Sequence, residues 1–501
     1  MSDREICRMD AVTLAGLIHS KQLSPVEVVD AVIDRMEKLE PVLHAFCTPT
    51  PEMARTEAKR IEAEIVAGNP VGPLAGIPIG IKDLVCTKGI RTVSGSMAYA
   101  DFVPEADDIV VERLKAAGAI IIGKTNVPEF GYSGVTDNPV FESTRNPWNL
   151  ELTPGGSSGG SGAAVAAGMG PWAIGSDGGG SIRIPSSFSG IYGIKTSMGR
   201  VPLYPGCRDE RYPGVSGWES LEHIGPMSRT VADSALMLSV IAGPDDRDRH
   251  SLPPANFEWM AALKGDLKGL KVAYSADWGY AAVDPQVRQI VGEAVSVFER
   301  LGCIVEAANP GWDDPYDTFW GLVALETDLV GMRAIADQLG DKMSPHLVEF
   351  LQTDWTAEQL TGAVISRKAV CNKMWKFMRQ YDLLLTPTLA IPPFPIGMQG
   401  PEVIEGRPAR SVDWLAFTFP LNLTGQPTAT VQRVGQQMDS RLACRSLVVI
   451  WTIQWYLKPQ QLLRVQPLGK ISGHHCSILW NRSATAPIHG YPIRINCCMK
   501  V

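Results

Sequence analysis

Three short segments of this chain hold residue types that could carry out acyl transfer together. The first, Gly76-Ile-Pro-Ile-Gly-Ile-Lys82-Asp83, ends an apolar run on a lysine. The second is Pro154-Gly-Gly-Ser157-Ser158-Gly-Gly-Ser161-Gly, and the third is Gly175-Ser-Asp177-Gly178-Gly179-Gly180-Ser181-Ile-Arg183-Ile-Pro185. A serine hydroxyl is a poor nucleophile until a neighbouring base takes its proton. Lysine, with a reference pKa of about 10.4, is too basic for that task in water. Burial disfavours the ammonium form and can lower this value by several units. A second hydroxyl can accept a hydrogen bond on one side and donate on the other, so it can pass a proton. Consecutive glycines expose bare backbone N–H groups, and each such donor aimed at a developing oxyanion is worth roughly 3–4 kcal/mol.

Each segment also has a plain structural reading. A lysine closing a strand is ordinarily a snorkelling surface residue, and a Gly/Ser-rich stretch is ordinarily a linker. The linker reading fails here, because Ala163-Ala-Val-Ala-Ala167 favours helix and Trp172-Ala-Ile174 favours buried strand. Glycine and serine interleaved with core elements mark backbone brought close to something.

The elements that must hold these segments alternate. Helices are expected over 10–20, from Ser24-Pro25 onward, and over 51–67, 108–117, 229–242, 284–301 and 356–380. Ser24 followed by Pro25 and Glu27 is a capping box with proline in the first helical position. Strands are expected at 77–81, 119–122, 172–176, 270–274 and 381–386. This order indicates an α/β fold with a mostly parallel or mixed sheet.

The 501 residues are 45% hydrophobic and 20% charged with a formal net charge of -7, which fits a soluble globular protein and disfavours nucleic-acid binding. The first ten residues, MSDREICRMD, hold no apolar signal region, and no apolar run is long enough to span a membrane. Ten scattered cysteines without a CxxC pair fit reduced thiols in a cytoplasm and no structural zinc.

Two formal motif matches lack their context. Gly118-Ala-Ile-Ile-Ile-Gly123-Lys124-Thr125 fits a phosphate loop, but its middle reads as strand and Asn126-Val-Pro128 starts no helix. Gly155-Gly156-Ser157-Ser158-Gly159 fits a nucleophile elbow, which needs an acid and then a histidine downstream. His223, His250 and His346 are available, none in a recognisable setting, so this stands as the weaker reading.

The three segments in this order, with Ser157 and Ser181 separated by 24 positions, resemble the amidase signature family over about residues 10–430. The resemblance implies a mixed, mostly parallel twisted β-sheet covered by helices on both faces. It implies Ser181 as nucleophile, Ser157 on a cis peptide as proton relay and Lys82 as base. Gly178, Gly179 and Gly180 would form the oxyanion hole, with Asp177, Arg183 and Ser158 in support. The implied reaction is hydrolysis of a small-molecule carboxylic amide through an acyl-enzyme, with no metal or organic cofactor, no nucleic acid and no membrane. A homodimer is the assembly allowed for. Residues 1–70 would form an N-terminal helical segment and 71–430 the catalytic domain.

Other readings are a glutaminase subunit of a tRNA amidotransferase and a non-catalytic binding protein on the same scaffold. The stretch Lys368–Phe377 followed by Tyr381-Asp-Leu-Leu-Leu-Thr-Pro-Thr388 lacks the tyrosine-rich helix usual in the former and looks like the free-standing amidases. Among Tyr204, Tyr212, Trp218, Trp278, Trp312, Tyr316, Phe319 and Trp320, most are expected in the core and a few around an apolar acyl or aryl pocket. N-substituted or aromatic amides are the expected substrates.

The resemblance stops after Phe417–Val431. Members of the family continue with a strand close to Gly-Leu-Pro-Val-Gly-Leu-Gln, where this chain reads Arg441-Leu-Ala-Cys-Arg-Ser-Leu447. One codon string for those residues, read one base later, spells Gly-Leu-Pro-Val-Gly-Leu. Residues 440–501 hold no Asp or Glu and four of the ten cysteines. The expectation is a reading-frame change between about 431 and 440, leaving 431–501 an atypical tail. The other reading is a genuine basic extension.

Overall fold

The computed structural model describes residues 1–206, 209–215, 217–255 and 258–432, and the backbone of 446–451, 463–465 and 478–480. The first helices begin where the sequence caps them. After α1 (Asp3–Ile6), α2 (Ala11–His19) opens on Asp10, whose carboxylate accepts from the Thr13 N–H at 2.7 Å. α3 (Pro25–Leu43) opens on the expected capping box, with Ser24 Oγ accepting from Val26 N–H at 2.9 Å and Glu27 accepting from Ser24 N–H at 3.0 Å. The helices that follow are α4 (Pro51–Ala67), α5 (Ile109–Ala116), α6 (Gly159–Ala167), α7 (Arg183–Ser189), α8 (Val231–Ile241) and α9 (Pro285–Arg300). Then come α10 (Tyr316–Leu325), α11 (Leu329–Leu339), α12 (Pro345–Gln352), α13 (Ala357–Met378) and α14 (Pro420–Thr424).

Among the described residues the central sheet has eleven strands. They are β1 (Phe46–Pro49), β2 (Pro78–Lys82), β3 (Ile120–Thr125), β4 (Trp172–Ser176), β5 (Tyr192–Lys195), β6 (Ile224–Ser228), β7 (Lys271–Tyr274), β8 (Ile304–Ala307) and β9 (Leu383–Pro387), then β12 (Thr428–Gln432) and β13 (Ser446–Trp451). A separate hairpin pairs β10 (Val403–Ile404) with β11 (Arg407–Pro408). The strand order is β1-β3-β2-β4-β6-β5-β12-β13-β9-β7-β8. The sheet is mixed: β3-β2-β4 and β9-β7-β8 run parallel, while the strands between β4 and β9 pair antiparallel. Every residue of β2, β3, β4, β6 and β9 is buried, which requires cover on both faces of the sheet. α3 and α6 pack on β2, α8 on β5 and β6, and α9 on β8 and β9.

The formal phosphate-loop stretch is strand β3. Lys124 is fully buried, donates to the Val85 carbonyl at 2.6 Å and to Thr92 Oγ1 at 2.7 Å, and lies 3.7 Å from Asp83. It has no exposed loop to offer a phosphate. Of the stretch near 431–440 where the frame change is expected, 433–440 lies outside the described residues. Among the described residues no helix is long and apolar enough to cross a membrane.

Candidate active site

The parallel trio β3-β2-β4 sets the site. Ile81 pairs with Ile174, so Lys82 at the end of β2 arrives beside Ser176 at the end of β4. Lys82 is fully buried, and its Nζ donates to Ser157 Oγ at 2.7 Å, Ser176 Oγ at 2.8 Å and the Ser176 carbonyl at 3.2 Å. Burial lowers its pKa to about 8, with the negative charges of Glu222 and Asp177 opposing the shift. The lysine is therefore no snorkelling surface residue. Its amine is held by three oxygens and is easily relieved of its proton.

Ser157 follows a cis Gly156–Ser157 peptide. Gly156 can be nothing larger, because a Cβ there would sit 2.7 Å from the Val135 backbone. Ser158 stitches the two serine segments together: its N–H donates to the Ser181 carbonyl at 3.1 Å, and its Oγ donates to the Ser176 carbonyl at 3.2 Å. Ser157 is 1% exposed and Ser181 7% exposed, so Ser181 is the hydroxyl a substrate can reach.

The glycine loop before Ser181 is braced by Asp177 and Arg183, both fully buried. Arg183 Nε and Nη2 donate to the two Asp177 oxygens at 2.9 and 2.8 Å, a bidentate pair. Burial works against the Asp177 charge, but Arg183, Lys195 and Asn422 together outweigh it and hold the carboxyl well below its ordinary range. Asn422 of α14 donates to Asp177 Oδ1 at 2.9 Å and to its carbonyl at 2.8 Å, so the C-terminal third clamps the loop. One expectation changes here. The Gly180 N–H donates to Asp177 Oδ1 at 2.9 Å and is spent on the brace. Gly180 supplies instead a φ of +138°, which a side-chain-bearing residue rarely adopts. Among the described residues the N–H groups of Gly178, Gly179 and Ser181 have no acceptor, and Gly179 and Ser181 line the same cavity. Those three donors are the candidates for an oxyanion hole.

Ser181 stands between two spaces. The larger, about 830 Å³, is lined by Tyr132, Trp218, Phe319, Trp320, Phe350 and Trp414, among others. The smaller, about 50 Å³, is lined by Ser157, Ser176, Trp218 and Glu222. Trp218, Tyr316, Phe319 and Trp320 all face the larger cavity, so half of the eight singled-out aromatics line it rather than most filling the core. The reason is α10, whose i, i+3, i+4 spacing puts Tyr316, Phe319 and Trp320 on one face. Trp278 and Trp312 are core residues, 5.1 Å apart in edge contact.

The elbow reading fails at Ser157, whose hydroxyl meets Lys82 Nζ at 2.7 Å rather than a histidine. His223 is buried beside Lys195, with its Nε2 at 3.3 Å from Lys195 Nζ and its Nδ1 at 2.7 Å from the Leu221 carbonyl. Burial and the Lys195 charge keep it neutral. It orients no serine. Ser176, Glu222, Asn422 and Thr418, whose Oγ1 donates to the Gly179 carbonyl at 2.7 Å, complete the site without having been singled out in the sequence. For Glu222 the signal is strand register, which places His223 against Asp177 and Glu222 against Gly178.

The sequence profile of the Amidase family matches residues 27–443. The chain is 38% identical over 443 residues to an acylamidase of Rhodococcus erythropolis, covering 86% of this chain and 90% of that protein. It is 35% identical over 455 residues to a glutamyl-tRNA(Gln) amidotransferase subunit of Carboxydothermus hydrogenoformans, covering 85% and 91%. Among solved structures, a bacterial aryl acylamidase of the amidase signature enzymes matches at a TM-score of 0.81 and 31% identity, over 89% of this chain and 92% of that one. A 6-aminohexanoate cyclic dimer hydrolase matches at 0.76 and 27%, over 89% and 94%. Fold, cavity and sequence agree: the chain belongs to the amidase signature family and is a hydrolase acting on amides.

Proposed function

We propose that the chain hydrolyses N-substituted or aromatic amides through an acyl-enzyme on Ser181, with Ser157 as relay and Lys82 as base. The observation that carries this reading is the 2.7 Å hydrogen bond between Lys82 Nζ and Ser157 Oγ, both buried, beside Ser181, which lines the larger cavity. Neutral Lys82 takes the Ser157 proton while Ser157 takes that of Ser181. The Ser181 oxygen then bonds to the amide carbon, and the carbonyl π electrons move onto oxygen. The N–H groups of Gly178, Gly179 and Ser181 receive that oxyanion. The relay hands the proton to the leaving amine as the C–N bond breaks. Water then repeats the sequence on the ester and frees the carboxylate. These residues supply nucleophile, base and oxyanion donors, so no cofactor enters the steps.

The cavity supports the substrate class. Its 830 Å³ lies within the usual range of about 300–1,000 Å³ for small-molecule sites. Its described lining holds Asp317 and Glu349 but no Lys or Arg. That lining suits a neutral or cationic aromatic substrate and offers no lysine or arginine to the α-carboxylate of glutamine, which disfavours the amidotransferase reading. The test is hydrolysis of aryl amides by the purified full chain, with Ser181→Ala and Lys82→Ala. Both variants are expected to lose turnover almost entirely. Near-normal hydrolysis by Lys82→Ala would refute the relay.

A further inference from the structure

A carboxylate stands at the far end of the relay. Glu222 follows the turn that starts at Trp218, where its N–H donates to the Trp218 carbonyl at 2.8 Å. The next residue, His223, pairs with Asp177 through two backbone hydrogen bonds of 2.8 and 3.2 Å, so strand pairing fixes where Glu222 lies. Its side chain lines the small cavity with Ser157, Ser176 and Ser181. Its Oε2 occupies space that only glycine at 178 leaves open, since a Cβ there would come within 2.6 Å of it. Ser176 Oγ accepts from Lys82 Nζ at 2.8 Å and lines the same small cavity as Glu222. A hydroxyl has one proton, so while it accepts from the ammonium it is free to donate to a carboxylate beside it.

Resting on the relay proposed above, we infer that Glu222 is a positioning residue: through Ser176 it holds Lys82 and stabilises the ammonium that forms there as Ser181 attacks. The step balances simply. One proton moves from Ser181 through Ser157 to Lys82, one C–O bond forms, and the positive charge on Nζ appears facing the Ser176–Glu222 pair.

The groups facing Lys82 are few. Asp177, from the loop after β4, is the other negative charge, and it is already engaged by Arg183 and influenced by Lys195. Asp83, next in sequence, turns instead to Lys124. Among the described residues facing Lys82, Glu222 is thus the carboxylate whose charge is not committed to a guanidinium. Burial raises its own pKa and the Lys82 charge lowers it, as expected for two groups sharing one bridge. This arrangement also reconciles two needs. The base must be neutral before attack, which burial provides, and charged afterwards, which Glu222 provides without a direct ion pair that would lock the ammonium in place.

The test is the pH dependence of kcat/KM for the full-length enzyme on an aryl amide. Its acidic limb reports the base in the free enzyme. In Glu222→Gln the limb is expected to move to lower pH by about one unit, the low end of shifts caused by a nearby opposite charge. The plateau is expected to fall several-fold, because the new ammonium is less stabilised. Ser176→Ala, which keeps both charges and breaks the bridge, is expected to move the limb in the same direction, and Glu222→Asp to restore part of the shift. A limb that stays at the wild-type position in both Glu222→Gln and Ser176→Ala, with folded protein by circular dichroism, would overturn the inference. Retained turnover in Lys82→Ala would instead show that the underlying relay is wrong.

Discussion

Replacing Arg183 with methionine removes the counter-charge of a carboxylate that has no access to water. Asp177 and Arg183 are both 0% exposed and are joined at 2.8 Å. Arg183→Met leaves Asp177 with the Gly180 N–H at 2.9 Å, the Ile182 N–H at 3.2 Å and the Asn422 amide at 2.9 Å. It also orphans one buried acceptor, Asn422 Oδ1 at 2.6 Å, and takes one donor at 2.8 Å from the Thr418 carbonyl, which keeps the Leu421 N–H at 3.1 Å. Breaking a buried pair from one side costs about 3–5 kcal/mol. Against a total stability of about 5–15 kcal/mol, that is a third of it or more. The pH dependence follows by sign. In the wild type the folded pKa of Asp177 lies below its ordinary 3.8, so its contribution is present above that value and is lost as pH falls through the folded one. In the variant, burial without Arg183 raises the folded pKa above the unfolded one, so stability is lost as pH rises through it. The penalty of Arg183→Met is therefore largest near pH 7 and shrinks toward pH 4. Urea melts followed by tryptophan fluorescence at pH 7, 5.5 and 4 measure it directly. A cost below about 1 kcal/mol, or one that does not change with pH, would refute the account, since even an ordinary exposed pair reaches that value. Asp177→Asn in the same background removes the orphaned charge and is expected to recover part of the loss.

Other outcomes follow from the same geometry. Wild-type kcat/KM is expected to fall about tenfold per pH unit below a limb near pH 8, where burial places the Lys82 pKa, and a flat profile from pH 6 to 9 would contradict the base assignment. Phe350→Ala removes a wall ring that lies 5.7 Å from both Tyr132 and Trp320, and should reduce kcat/KM for aryl amides about tenfold while sparing acetamide-sized substrates. Aromatic amides carrying a carboxylate should react about tenfold more slowly than neutral isosteres, because Asp317 and Glu349 line the cavity and no cation does among its described residues. Steady-state kinetics on matched substrates checks both.

The reaction was more legible in the sequence than its support. Lys82, Ser157 and Ser181 stand in runs of unusual composition, and elements with caps or strong periodicity, such as α3, α4 and β4, fall where the pattern puts them. Short strands escaped. β5, Tyr192–Lys195, and β6, Ile224–Ser228, contain glycine or proline and are buried throughout, so no alternation marks them. β8 is a short edge strand, and β12 follows a Gly-Gln-Pro turn. α10 is rich in aromatics with an internal glycine, weak helix formers that packing against α13 holds in place. Missing α10 is what hid the aromatic wall. Glu222 and Asn422 were invisible for another reason: 45 and 245 positions separate them from Asp177, and only the pairing of distant strands and the packing of α14 bring them near it.

β13 lies between β12 and β9, with Val449 opposite Ala429 on one side and Leu385 on the other. Among the described residues it is the last strand of the sheet to be synthesised, and both of its neighbours precede it. Until it arrives, the nascent chain carries two blocks of sheet, each ending in an open row of backbone donors and acceptors. Such edges are templates for pairing with another chain. A ribosome that stops, or a message that ends, before residue 446 would release a product that has its serines and lysine but also a seam down its middle. The fate expected of that product is self-association rather than slow catalysis, so synthesis through β13 decides whether the earlier residues ever become an enzyme.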